Sequence, residues 1–189
     1  NSLIHITESK VTYFDKIILV PFGEFLPFRD SLNFLEKIVG PNNFSNGNKQ
    51  RLINLPNNIS FIPVICYEIV FYWKLLNKLN YNSNFIINIT NDFWFGKYIG
   101  PYQHFYLTKI RAAEFNKPII RVSNNGISAV INNKGSIIKN TELNNTEKFK
   151  HKLYLQENIN FVNLHLILKI YFLIIFLLFT LYYLRKNVE

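Results

Sequence analysis

Residues 59–73 read ISFIPVICYEIVFYW, a short apolar run broken by the one cysteine of the chain and resumed as a helix-like stretch. Ile59–Ile65 has the length and composition of a buried strand, and Glu68–Leu79 those of a helix. Cys66 therefore stands at a sharp strand-to-helix turn. A nucleophile placed there is exposed at the edge of a sheet and lies near the positive end of a helix dipole, and both effects favour a thiolate. A free cysteine is also commonly a small buried apolar residue, so the spacing alone leaves both readings open.

Outward from this turn, strands and helices alternate. Ile17–Pro21, Phe85–Thr90, Ile119–Ser123 and Ile127–Asn132 read as strands, with weaker candidates at 136–139 and 149–155. Ser31–Ile38 and Tyr102–Asn116 read as helices, the second ending just before Pro118. Asn-rich segments at 42–48 and 140–146 read as linkers. This alternation predicts an α/β domain without internal repeats. The loops at 42–58 and 91–101 are longer than simple connectors need to be.

The chain has 189 residues, 49% of them hydrophobic and 17% charged, which excludes a disordered or collagen-like protein. A lone cysteine excludes a disulfide framework and a cysteine-cluster metal site. The net charge of +9 could suit nucleic acid or an anionic membrane surface. No basic run exceeds two residues, and the abundance of Asn, Ile, Lys, Phe and Tyr fits a codon bias, so nucleic-acid binding is rejected. Residues 164–184, LHLILKIYFLIIFLLFTLYYL, carry Lys169 as their only charge. A helix of this length spans about 30 Å, the thickness of a bilayer core. Lys169 and His165 can reach one interface by snorkelling, and Tyr182 and Tyr183 suit the other. Arg185 and Lys186 follow at once, which places 185–189 as a cytoplasmic tail and residues 1–163 on the opposite side. The chain lacks methionine even at position 1, and is expected to be a piece of a longer one.

Around the cysteine, DKIILVPFGEFLPF (15–28) sets Lys16 before an apolar run and Glu24 just after it. If Ile17–Pro21 pairs beside the Cys66 strand, Lys16 or Glu24 can sit near the sulfur. A lysine there would favour the thiolate and stabilise an oxyanion. Glu68 is too close to the strand–helix corner to be ordinary surface decoration. His104 reads as a hydrogen-bonded structural histidine, and Asn124-Asn125-Gly126 as a turn with positive φ values.

VPFGEFLPF (20–28), VICYE (64–68), NDFWFGKYIGPYQHF (91–105) and RVSNNGISAVI (121–131), in this order and followed by a membrane span, resemble the C-terminal half of the apolipoprotein N-acyltransferase family. That family is the membrane-anchored lipoprotein branch of the nitrilase, or carbon–nitrogen hydrolase, superfamily. The resemblance implies an α/β fold: an incomplete nitrilase-like αββα sandwich over residues 1–162, followed by one C-terminal transmembrane helix at 163–184. It implies a Glu–Lys–Cys site in which the cysteine takes an acyl chain from a phospholipid donor as a thioester. The chain then passes to the N-terminal amine of a diacylglyceryl-cysteine apolipoprotein, without cofactor or metal. Cys66 falls on the nucleophile and Lys16 on the triad lysine. Glu24 matches the acidic residue of the VPFGE element. Tyr67 and Glu68 match the pair that follows the nucleophile, and Trp94 would line the lipid-facing part of the pocket. Phe22, Phe25, Phe28, Phe93 and Phe95 could wall an acyl-chain site or simply pack a core.

The family's general-base glutamate precedes the lysine on an earlier strand. Glu8, in its ITES setting, does not resemble it, so the chain by itself is expected to be inactive. Two alternatives stand beside this reading. One is a non-catalytic membrane-anchored remnant or a subunit of a split enzyme needing a missing N-terminal half. The other is a small-amide amidase of the nitrilase type, against which the terminal span and the NDFWFG element argue. The implied location is the bacterial inner membrane, with the catalytic domain on the periplasmic side.

Overall fold

A computed structural model describes residues 1–40, 43–48, 51–71, 83–155 and 164–186. Contacts divide the chain into two units, Asn1–Asn158 and Ile159–Glu189.

The first unit is built on a six-stranded sheet with spatial order β3-β4-β5-β6-β7-β8. The strands are β3 (Ile53–Asn54), β4 (Ser60–Ile65), β5 (Phe85–Asn91), β6 (Ile119–Asn124), β7 (Ala129–Ile131) and β8 (Ile137–Asn140). The central three run parallel, and β3, β7 and β8 pair antiparallel at the flanks. A separate antiparallel hairpin joins β1 (Ser2–Ile6) to β2 (Val11–Asp15). Among the described residues the unit also contains the α-helices α1 (Glu36–Val39) and the long α2 (Ile99–Phe115).

Side chains on the central strands alternate between two buried clusters, as the period of two requires. Phe61, Phe85 and the partly buried Ile87 and Ile120 pack with Phe14 of the hairpin. Ile62, Val64, Ile86 and Ile119 pack with Phe105, Ala112 and Phe115 of α2. Every residue of β4 is buried, which is why it reads as a continuous apolar run. Pro63 is tolerated within it because β3 pairs only with Ser60 and Phe61. On that open side the Pro63 carbonyl accepts from Arg51 Nη1 at 3.3 Å, and the missing N–H forfeits no ladder bond.

Most of the expected strands are present within a residue or two, but Ile17–Pro21 is not a strand. Strand β2 ends at Asp15, and the N–H groups of Ile17, Ile18 and Val20 are taken by the carboxylates of Glu68 and Glu24 instead of a neighbouring strand. Residues 149–155 also form no strand, although Leu153 and Leu155 pack against the hairpin-side cluster. The helix expected over Ser31–Ile38 is a 3-10 turn at Asn33–Leu35 running into α1. Of the helix expected over Glu68–Leu79, the described part is a 3-10 turn, Cys66–Ile69, and residues 72–79 lie outside the described residues. Helix α2 starts at Ile99, earlier than the expected Tyr102. It ends before Pro118 on Asn116, whose φ of 52° closes the helix in the left-handed region.

The second unit contains α3 (Leu164–Lys186), long and apolar enough over Leu168–Arg185 to cross a membrane.

Candidate active site

The site is assembled at the C-terminal ends of the parallel strands, where loops from several elements converge. Cys66 directly follows β4 and is half-buried. Its φ is +54°, a left-handed setting that costs a side-chain-bearing residue about 1–2 kcal/mol. Phe22 (φ 60°) and Phe28 (φ 50°), in the loop after Lys16, are held in the same region. Left-handed settings at bulky residues persist only where surrounding contacts over-determine them, and such places are commonly functional.

For Cys66 those contacts begin with Glu68, which is fully buried. Its Oε2 accepts from the Ile65 N–H at 2.8 Å, bracing the residue before the cysteine. Its Oε1 accepts from the N–H groups of Ile17 at 2.7 Å and Ile18 at 2.9 Å. Arg51 closes the cluster, donating to Oε1 at 2.8 Å through Nη2 and to Oε2 through Nη1. One carboxylate thus ties the backbone just after Lys16 to the backbone just before Cys66. Sequence reasoning singled out Lys16 and Glu68 but missed Arg51, which lies in a polar segment with nothing to distinguish it from a solvated cation.

Lys16 is buried and forms a 2.5 Å ion pair with Glu24, which is slightly open to solvent. Glu24 also accepts from the Val20 N–H at 2.9 Å and from Asn1 Nδ2. The loop at 43–48 covers this pair: the Gly47 N–H donates to the Lys16 carbonyl at 2.8 Å. A Cβ at Gly47 would overlap the Asp15 backbone, so the close approach requires glycine. Beside it Ile17, Ile18, Leu19, Phe25, Asn43, Phe44 and Asn46 line a cleft of about 380 Å3.

Tyr67 packs its ring against Phe71, Phe95 and His104 at centroid distances of 5.5–5.9 Å, and Phe95 meets His104 at 5.3 Å. Phe22, Phe28, Phe93 and Trp94 are exposed. His104 is the hydrogen-bonded histidine expected from the sequence, and its partner is Asp92, 2.8 Å from Nδ1. Asp92 also receives Arg121 Nη2 at 2.6 Å and Ser123 Oγ at 3.0 Å. Burial would raise the Asp92 pKa, but the His104 hydrogen bond and the Arg121 charge outweigh it and bring it to about 2. Burial pushes the His104 imidazole below its ordinary value, against the opposing pull of Asp92. The Cys66 carbonyl lies close enough to favour a proton on the ring, yet among the described residues no well-formed hydrogen bond closes on the buried Nε2. The turn at Asn124–Gly126 has its left-handed residue at Asn125 (φ 55°). Gly126 is needed for a different reason: a Cβ there would collide with Ser123 Oγ and the Asp92 carboxylate.

Residues 3–155 match the model of the family described as carbon-nitrogen hydrolase. The chain belongs to the carbon-nitrogen hydrolase family. It is 44% identical over 133 residues, 69% of its length, to an apolipoprotein N-acyltransferase of Allorhizobium ampelinum, of which it covers 25%. Over 135 residues it is 41% identical to the apolipoprotein N-acyltransferase of Rickettsia typhi, covering 71% of this chain and 27% of the relative. It therefore spans about a quarter of the length of these curated relatives. Among solved structures it resembles a Saccharomyces cerevisiae member of branch 10 of the nitrilase superfamily, with a TM-score of 0.50, 18% identity and coverage of 69% of this chain and 44% of that one. It also resembles the glutamine-dependent NAD+ synthetase of Acinetobacter baumannii, with a TM-score of 0.54, 16% identity and coverage of 83% and 34%. At these identities the likeness establishes the nitrilase-superfamily α/β fold.

Proposed function

We propose that this chain carries the catalytic cysteine of an apolipoprotein N-acyltransferase. The observation that carries the reading is the left-handed Cys66 elbow, tied through one buried carboxylate to the Lys16–Glu24 pair. The identity of about 44% to enzymes of that name supports the choice of chemistry.

In this reading the Cys66 thiolate attacks the acyl ester carbonyl of a phospholipid. A general base, supplied by the rest of the full-length enzyme, takes the thiol proton; the sulfur–carbon bond forms, the ester C–O bond breaks, the base returns the proton to the leaving lysophospholipid alcohol, and an acyl thioester remains on the enzyme. The free α-amine of a diacylglyceryl-cysteine lipoprotein then attacks the thioester and regenerates the thiol. Lys16 supplies the cation for the tetrahedral oxyanion in both steps, and Glu24 holds it in place. Glu68, with both oxygens already accepting five hydrogen bonds, positions the elbow and moves no proton. The apolar walls of the cleft at Ile17–Leu19 and Phe25 suit an acyl chain, and exposed Trp94 suits contact with lipid.

The same reading places α3 in the inner membrane with the catalytic unit on the periplasmic side. The reaction is proposed for the full-length enzyme, because the chain spans a quarter of its relatives. Incubating that enzyme with phospholipid vesicles and a diacylglyceryl-cysteine peptide tests it. N-acylated peptide should form with the wild type and be lost in Cys66→Ser. Undiminished product from Cys66→Ser would refute the proposal.

A further inference from the structure

A buried asparagine in the middle of an apolar strand needs a reason, because burying an amide is unfavourable unless its hydrogen bonds are made. Asn88, in β5, is fully buried on the face that meets α2. Its Nδ2 donates to the Val64 carbonyl at 3.1 Å and to the Cys66 carbonyl at 3.4 Å. The parallel ladder between β4 and β5 ends at the Ile65–Ile89 pair, so this amide reaches past the last ladder position onto the elbow itself.

Asn88 is in turn held by Arg121, its direct neighbour in register on β6. Arg121 Nη1 donates to Asn88 Oδ1 at 2.7 Å and to Thr108 Oγ1 at 3.0 Å. Nη2 donates to Asp92 at 2.6 Å, and Nε to the Ile127 carbonyl at 3.2 Å. With acceptors on β5, α2, the turn after β5 and the loop between β6 and β7, the guanidinium cannot rotate, and it fixes which end of the amide faces Cys66.

We propose that Asn88 and Arg121 are positioning residues for Cys66: Arg121 orients the Asn88 amide, and the amide holds the Cys66 carbonyl so that the residue keeps its left-handed backbone and presents its sulfur. A purely structural role would be met by the Arg121–Asp92 pair with an apolar residue at 88. The inference rests on Cys66 being the nucleophile of the proposed reaction, but its test need not involve acyl transfer.

The test is alkylation of Cys66 by iodoacetamide in the full-length protein, followed by mass spectrometry of the Cys66 peptide across a pH series. The variants are Asn88→Leu and Asn88→Asp, with Thr141→Val as a remote control in which the buried Thr141 loses the hydrogen bond its hydroxyl accepts from the Ser128 N–H. The rate on the high-pH plateau is the decisive reading, since an added carboxylate alone would move the midpoint and leave the plateau unchanged. A displaced sulfur predicts plateau rates roughly tenfold lower for both Asn88 variants. Thr141→Val should lower thermal stability and alkylate as the wild type does. Should Asn88→Leu fail to fold, Asn88→Asp carries the test, because it keeps a partner for Arg121 while removing the amide donor.

A plateau equal to the wild type in a folded Asn88 variant overturns the proposal, and so does an equal fall in Thr141→Val. Iodoacetamide requires neither phospholipid nor lipoprotein. Slow alkylation in the Asn88 variants, with no acyl transfer by the wild type, would therefore leave the positioning role standing and defeat only the acyltransferase reading.

Discussion

Arg51 grips both oxygens of Glu68, and the shared carboxylate then has room only for the backbone N–H groups of Ile17, Ile18 and Ile65. The arrangement converts a buried ion pair into a joint between two loops. Removing one partner strands the other's charge in the interior. Glu68→Gln should therefore lower stability by about 3–5 kcal/mol, measured by thermal unfolding in detergent, together with loss of activity. A Glu68→Gln protein as stable as the wild type yet inactive would instead make Glu68 a participant in proton transfer.

Lys16 is predicted to act through its charge. Lys16→Met conserves length and apolar stem, and should reduce the acyl-transfer rate by about 10²–10³, the usual cost of losing one oxyanion donor. The measurement is single-turnover thioester formation, with the fold checked by unfolding. An unchanged rate would remove Lys16 from the mechanism.

Gly126 sits against Ser123 and Asp92 with no room for a methyl group. Gly126→Ala should destabilise the protein by about 1–3 kcal/mol, the usual cost of overpacking. The same substitution at Gly40, where a Cβ meets none of the described residues, is strained by its φ of +95° and makes no such collision with them. Thermal melts of the two variants, with Arg121–Asp92 geometry followed by hydrogen exchange at β6, separate the effects.

The depressed Asp92 pKa fixes an acid limb. The folded protein holds the carboxylate down to about pH 2, whereas the unfolded chain protonates near the ordinary value of 3.8. The resulting stabilisation is fully present above about pH 4 and is lost as pH falls toward 2. The stability difference between wild type and Asp92→Asn should therefore be largest above pH 4 and shrink toward pH 2. His104, with its pKa lowered by burial, adds a separate loss as pH falls below 6.5, because the unfolded chain takes up a proton that the folded imidazole resists. A difference that stays constant from pH 6 to 2 would contradict the Asp92–Arg121–His104 account.

The elements whose hydrophobic pattern is decided locally were legible in the sequence. Strand β4 reads as an apolar run because every residue of it is buried, β5 and β6 each open on apolar residues packed in the core, and α2 is bounded by Pro118. The cysteine elbow followed from the break between β4 and YEIV. Ile17–Pro21 misled because its apolar side chains are strand-like, while its N–H groups are claimed by carboxylates remote in sequence. The hairpin at Ser2–Asp15 carries alternation, but its turn lacks the Asn-Gly or Gly pairs that announce hairpins. Arg51, Asn88 and Arg121 escaped notice because a polar residue gains meaning here only from partners supplied by other elements. Asp92 was within reach: it shares the NDFWFGKYIGPYQHF stretch with the histidine it binds.

The measurement that tests the central claim most directly is intact-mass and peptide-mass analysis of the full-length enzyme after incubation with phospholipid vesicles and no lipoprotein acceptor. The account predicts a species heavier by one fatty acyl group, mapped to Cys66, released by neutral hydroxylamine and absent in Cys66→Ser. An enzyme that acylates its lipoprotein acceptor while Cys66 never carries an acyl group would contradict it.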